Sequence, residues 1–141
     1  MSHNLFVIDD DPVIRSALRK LLVHEGFKVK LAKDAGEALE IASQERFDLI
    51  ISDIRMPGKD GIETIHEIRS AMGLNHKSPV VFMTGYADEQ AQKRAMELKY
   101  VDYLLKPFDL HEFLRRVRKA LEEQNPPPST PNSPFQKTVQ I

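Results

Sequence analysis

The sequence predicts an α/β domain in which helices cover both faces of a parallel five-stranded sheet. Three observations carry that prediction. Short continuous apolar runs, the mark of strands buried on both faces, alternate with stretches whose apolar residues recur at helical spacing. There are five such pairs, and at roughly 25 residues each with ordinary loops they fill about 125 residues. The composition also changes near residue 124: five of the nine prolines lie beyond it, with Lys137 as the one charge. Residues 1–123 are therefore read as the domain, and 124–141 as a Pro-rich flexible tail or linker that cannot bury enough apolar surface to offset its ordering entropy.

Each element follows from local chemistry. Leu5-Phe6-Val7-Ile8 is the first strand. Asp11-Pro12 supplies an N-cap and a first-turn proline for a helix carrying Ile14, Ala17, Leu18, Leu21 and Leu22, which Gly26 stops. Phe27–Leu31 reads as the second strand. Asp34 and Glu37 form a D-x-x-E cap for a helix with Ala38, Leu39 and Ala42. Leu49-Ile50-Ile51 is the third strand, ending at Ser52-Asp53. A loop with Pro57, Gly58 and Gly61 leads to a helix with Ile62, Ile65 and Ile68. Pro79 opens the fourth strand, Val80–Met83, ending at Thr84, and a helix over Glu89–Leu98 follows. Tyr103-Leu104-Leu105 is the fifth strand, ending at Lys106-Pro107. Asp109 and Glu112 cap a last helix with Phe113, Leu114, Val117 and Leu121. Strands alternating with helices in this way are joined by right-handed crossovers.

Composition narrows the function classes. Twenty Lys and Arg against 21 Asp and Glu give a net charge of −1, which argues against bulk capture of nucleic acid or an anionic membrane. With no cysteine, disulfides, thiolate metal sites and thiol catalysis are excluded. No apolar run is long enough to span a bilayer, and the N-terminus lacks the basic start and small-residue cleavage site of a signal peptide. The expected location is the cytoplasm. The five histidines show no metal-ligand spacing. The Arg115-Arg116-Val117-Arg118-Lys119 cluster reads as a solvated helix face.

The chemistry sits at the strand ends. Strand one ends in Asp9, Asp10 and Asp11, strand three in Asp53, strand four in Thr84 and strand five in Lys106. Ligands of open parallel sheets bind at the carboxyl ends of the strands. Clustered carboxylates need a neutraliser, and Mg²⁺ is typically held by carboxylates, phosphate oxygens and water. Lys106 adds a cation and Thr84 a hydroxyl donor for phosphate oxygens. The set describes phosphoryl chemistry with a metal, in which Asp53 is the nucleophile and forms an acyl phosphate.

These residues resemble the receiver domains of two-component response regulators, over about residues 4–122. The matching pieces are Ile8-Asp9-Asp10-Asp11-Pro12, Asp53-Ile54-Arg55-Met56-Pro57-Gly58-Lys59-Asp60-Gly61, Met83-Thr84-Gly85 and Tyr103-Leu104-Leu105-Lys106-Pro107, in order and each at a strand end. The resemblance implies a flavodoxin-like three-layer sandwich with strand order 2-1-3-4-5, which sets strands one and three side by side. It implies Asp53 as phosphoacceptor, with Asp9, Asp10, Asp53 and the backbone carbonyl of Arg55 as the Mg²⁺ site. Lys106 is expected to pair with the phosphoryl group, and Thr84 with Tyr103 to form the switch pair. A hydrogen bond to a charged group, worth roughly 1.5–3 kcal/mol, would shift a two-state equilibrium by about ten- to 150-fold. Arg55 and Tyr86 are expected to shield the acyl phosphate and slow its hydrolysis. The implied partners are a sensor histidine kinase or phosphotransfer protein, and a downstream protein, output domain or second copy docking on the face over residues 88–119. One departure stands out: where the family often has Gly-Ala near the end of helix four, this chain has Lys99-Tyr100, and glycine there would allow a left-handed cap.

Two other readings compete. Asp9-x-Asp11-x-Val13 also resembles the nucleophile motif of haloacid dehalogenase-like phosphatases, but a later acidic metal motif and a cap insertion are missing and Asp53 would be idle. A pseudo-receiver, binding partners without turning over phosphate, would not need the acceptor, acids, hydroxyl and lysine that are present.

Overall fold

The computed structural model describes residues 2–70, 73–85 and 88–124. Five strands, β1 (Asn4–Ile8), β2 (Lys28–Ala32), β3 (Leu49–Asp53), β4 (Val80–Thr84) and β5 (Val101–Leu105), alternate with five helices, α1 (Pro12–His24), α2 (Ala35–Gln44), α3 (Gly61–Ser70), α4 (Glu89–Met96) and α5 (Leu110–Gln124). All strand pairs are parallel, in the order β2-β1-β3-β4-β5. This is the expected flavodoxin-like arrangement.

The caps form much as the sequence predicts. Asp11 and Asp34 accept hydrogen bonds from Val13 and Glu37 backbone N–H groups at 2.9 Å. Glu37 also accepts from the Lys33 N–H at 3.3 Å. Gly26, with φ +96°, turns the chain out of α1. At α5 the prediction is half right: Asp109 accepts from His111 N–H at 2.6 Å, but Glu112 points to Arg115 and Arg116 instead of back to the helix start. Helix α4 is shorter than expected, with Glu97 as its C-cap.

The core has two layers, one on each side of the sheet. Phe6, Ile8, Phe47, Ile50, Ile65 and Phe82 fill the α2–α4 side, where the Phe6 and Phe47 rings stack at 4.5 Å. Leu5, Val7, Leu22, Ile51, Val81 and Phe113 fill the α1–α5 side. The strict alternation of these two sets along β1, β3 and β4 is the two-sided burial that the apolar runs predict. The outer strands differ. Along β2, Lys28 and Lys30 are exposed. On β5, Leu104 is buried but Leu105 is 47% exposed, because an edge strand has a neighbour on one side only. Ala17 in α1 is likewise exposed rather than core.

Two polar clamps tie the loops at the amino ends of the strands. Buried Asn75 accepts from Phe47 N–H at 2.8 Å and donates to the Ala42 and Glu45 carbonyls at 2.8 Å each, and Ser78 Oγ bonds both Asn75 and the Phe47 carbonyl. Arg69, at the end of α3, donates to the carbonyls of Ser78 at 2.7 Å, Lys99 at 2.5 Å and Tyr100 at 3.3 Å. Tyr100 has φ +59°. The turn before β5 is thus left-handed although no glycine occupies it, a conformation costing a non-glycine residue about 1–2 kcal/mol.

Candidate functional site

Strand register brings the predicted residues to one edge. Ile8 pairs with Ser52, so Asp9 emerges beside Asp53. Thr84 pairs with Leu105, and Lys106 N–H then donates to the Thr84 carbonyl at 2.7 Å, which turns the lysine toward the two aspartates. Its ammonium lies 3.3 Å from Asp9 Oδ2 and 3.5 Å from Asp53 Oδ2.

Each carboxylate has a different setting. Asp9 is fully buried, and both of its oxygens are engaged: Oδ1 accepts from Asp11 N–H at 2.9 Å and Oδ2 faces Lys106. Its carbonyl accepts from Arg15 at 2.8 Å. Asp53 is 8% exposed. Its Oδ1 accepts from Ile54 N–H at 2.8 Å, while Oδ2 faces Lys106. Burial pushes the Asp53 carboxyl above its ordinary value; Lys106 opposes this and Asp9 adds to it. Asp10 is exposed, yet carboxylate oxygens of Asp9, Asp10 and Asp53 all lie within 4.8 Å of one another. Three carboxylates gathered this closely repel one another, and an all-oxygen donor set suits a hard divalent cation such as Mg²⁺.

Thr84 is 2% exposed. With Arg55, Asp60, Asp88 and Arg94 it lines a cavity of about 420 Å³ between the loop after β3 and α4. An ion pair between Arg94 and Asp60 at 3.2 Å spans that gap. Tyr103 is half-buried on the α2–α4 side of the sheet, against the same core layer as Leu98 and Val101. Arg55 is exposed, two residues beyond Asp53. Tyr86 lies outside the described residues, as does the expected tail beyond Gln124.

The basic cluster on α5 is largely spent internally. Arg115 and Arg116 bond Glu112 at 2.7 and 2.8 Å, Arg116 reaches Asp102 at 2.6 Å, and Arg118 pairs with Glu25.

Two residues without an assigned role shape the site. Gly61, the last residue of the Asp53–Gly61 piece that carries the resemblance, packs its backbone so tightly against Asp53 that a β-carbon would fall 1.9 Å from the Asp53 carbonyl oxygen. Ser52 Oγ donates to that same carbonyl at 2.9 Å. The D-x₇-G spacing was the available signal for Gly61.

Comparison with known proteins agrees with this fold. The profile of the family described as "Response regulator receiver domain" matches residues 5–118. A probable transcriptional regulator, ycf29 of Porphyra purpurea, is 35% identical over 130 residues, covering 89% of this chain and 62% of the relative. The response regulator MprA of Mycobacterium sp. strain KMS is 34% identical over 134 residues, covering 95% and 56%. The chain thus spans about 56–62% of the length of these relatives. Among solved structures, a CheY-like response regulator receiver domain protein from Methanospirillum hungatei JF-1 superposes with TM-score 0.82 at 26% identity, covering 88% of this chain and 97% of that one.

Proposed function

Because the chain belongs to the response regulator receiver domain family, we propose that it accepts a phosphoryl group on Asp53 and relays the change to a partner. The phosphoryl group passes from a histidine nitrogen of a sensor kinase or phosphotransfer protein to a carboxylate oxygen of Asp53. The P–N bond breaks, an acyl phosphate forms and the imidazole leaves. Asp53 is favoured over Asp9 as nucleophile by one observation: both carboxylates have their oxygens engaged, but Asp9 is fully buried whereas Asp53 keeps some exposure beside Lys106.

In this reading Asp9, Asp10, Asp53 and the Arg55 carbonyl hold Mg²⁺. When bound, the cation neutralises charge on the transferring phosphoryl oxygens. Lys106 pairs with the phosphoryl group once it is on Asp53. Thr84 donates its hydroxyl to it, Tyr103 follows into the space behind, and Arg55 with Tyr86 slows hydrolysis. The face formed by α4, β5 and α5 carries the signal to a downstream protein, an output domain or a second copy. Residues 1–123 act as the receiver and 124–141 as a tail or linker. The setting we propose is the cytoplasm; no helix among the described residues is long and apolar enough to cross a membrane.

The test is intact mass after incubation with a small acyl-phosphate donor, with and without Mg²⁺. A single phosphoryl gain that requires Mg²⁺ and is lost in Asp53→Asn is the expected result. Phosphate release with no adduct, abolished by Asp9→Asn instead, would replace this reading with a phosphatase.

A further inference from the structure

The opposite edge of the sheet holds a cavity that phosphoryl transfer does not use. It lies where β4 and β5 begin, about 13 Å along the strands from the carboxylate edge, and has a volume of about 330 Å³. That is the lower end of the range for small-molecule pockets. Its floor is apolar: Pro79 and Val80 are buried, and Val101 and Ala120 are partly so. Tyr100, 62% exposed on its left-handed backbone, forms part of the wall.

The charge around this floor is mostly positive. Arg46, Lys77 and Lys119 line the cavity, against Asp102 and Glu123. One acid is withdrawn: Asp102 is bonded to Arg116 at 2.6 Å, while Glu123 is exposed at the rim on α5. Arg46 is paired with Asp48 at 3.1 Å. Nearby, the Arg69 guanidinium donates to three backbone carbonyls, two of them (Ser78 and Tyr100) at or next to wall residues. Lys77 and Lys119 are thus the cations placed to meet a ligand.

We propose that this cavity is a second binding site, taking a small organic anion with a flat apolar body, such as an aromatic carboxylate or phosphate ester. The body lies on Val80, Val101 and Ala120 against the Tyr100 ring, and the anionic group meets Lys77 and Lys119. The site does not depend on phosphorylation of Asp53.

Phenyl phosphate is the probe, titrated into the whole chain without Mg²⁺ and followed by amide NMR shifts. Inorganic phosphate and benzyl alcohol serve as controls for charge alone and ring alone. Saturable shifts at Val80, Val101 and Ala120, with both controls at least tenfold weaker, are expected. Lys77→Gln/Lys119→Gln, both surface changes, should weaken binding by about tenfold or more. Tyr100→Gly, which removes the ring where the backbone suits glycine, should weaken it severalfold. The proposal is overturned by absent saturation, by binding indifferent to the lysine changes, by inorganic phosphate matching the probe, or by shifts confined to the Asp9, Asp53 and Lys106 edge.

Discussion

A β-carbon at position 61 would sit 1.9 Å from the carbonyl oxygen of Asp53 and 3.0 Å from Ser52 Oγ. Backbone, not a flexible side-chain tip, is what it would strike, so the strand end itself would have to move. Gly61→Ala is therefore expected to destabilise the fold by about 2–3 kcal/mol and to slow phosphorylation of Asp53 by small donors. Denaturant unfolding and the intact-mass assay check the two effects, and wild-type values in both would sink the argument. The D-x₇-G spacing marks Gly61 in the sequence, but the close approach to the Asp53 carbonyl that excludes a β-carbon shows only in the fold. The residues directly following the apolar runs were legible, since a strand's last apolar position announces which side chain stands at its carboxyl end. That is how Asp9, Asp53, Thr84 and Lys106 could be grouped without coordinates.

Elements are held in register by polar contacts between loops far apart in sequence. Asn75 bonds Phe47, Ala42, Glu45 and Ser78 across the α2–β3 and α3–β4 connections. Asn75→Ala would leave several buried backbone groups without partners, at a cost of about 3 kcal/mol. A change below about 1 kcal/mol in urea unfolding would mean that water replaces the network. On α5, bonds from Arg115 and then Arg116 hold the Glu112 carboxyl below its ordinary value. A depressed carboxyl contributes stability that is present above its unfolded pKa of about 4.3 and lost as pH falls through the lower folded value. Glu112→Gln is thus expected to lower stability slightly at neutral pH, with the difference vanishing in acid and shrinking in high salt. Melting curves across that range decide it; a constant difference at all pH values would exclude the ion pairs as its cause. The helices and strands themselves were legible from period and caps. What the apolar run did not show was that Leu105, the last residue of an outer strand, is exposed. Nor could local pattern show the reach of Arg69 to the β5 turn, which depends on how α3 lies against the sheet.

At the scale of the whole molecule the carboxylate edge gathers three acids, with Lys106 serving both Asp9 and Asp53 while Asp10 stands close by. Removing the buried charge in Asp53→Asn is expected to raise the melting temperature in the absence of divalent cations. Mg²⁺ should raise the wild-type value with the logarithm of its concentration once above its dissociation constant, and should do so much less in the variant. Equal responses of the two proteins to Mg²⁺ would remove Asp53 from the metal site. The strand order was anticipated through the family resemblance, and it is the order that turns a list of strand-end residues into one site. The same order leaves β2 as an outer strand, and its outward lysines have a consequence at high concentration. A foreign strand approaching that margin would have to bring its own backbone past the ammonium groups of Lys28 and Lys30. The sheet is thereby discouraged from growing, and the folded protein is guarded on that side against strand-by-strand aggregation.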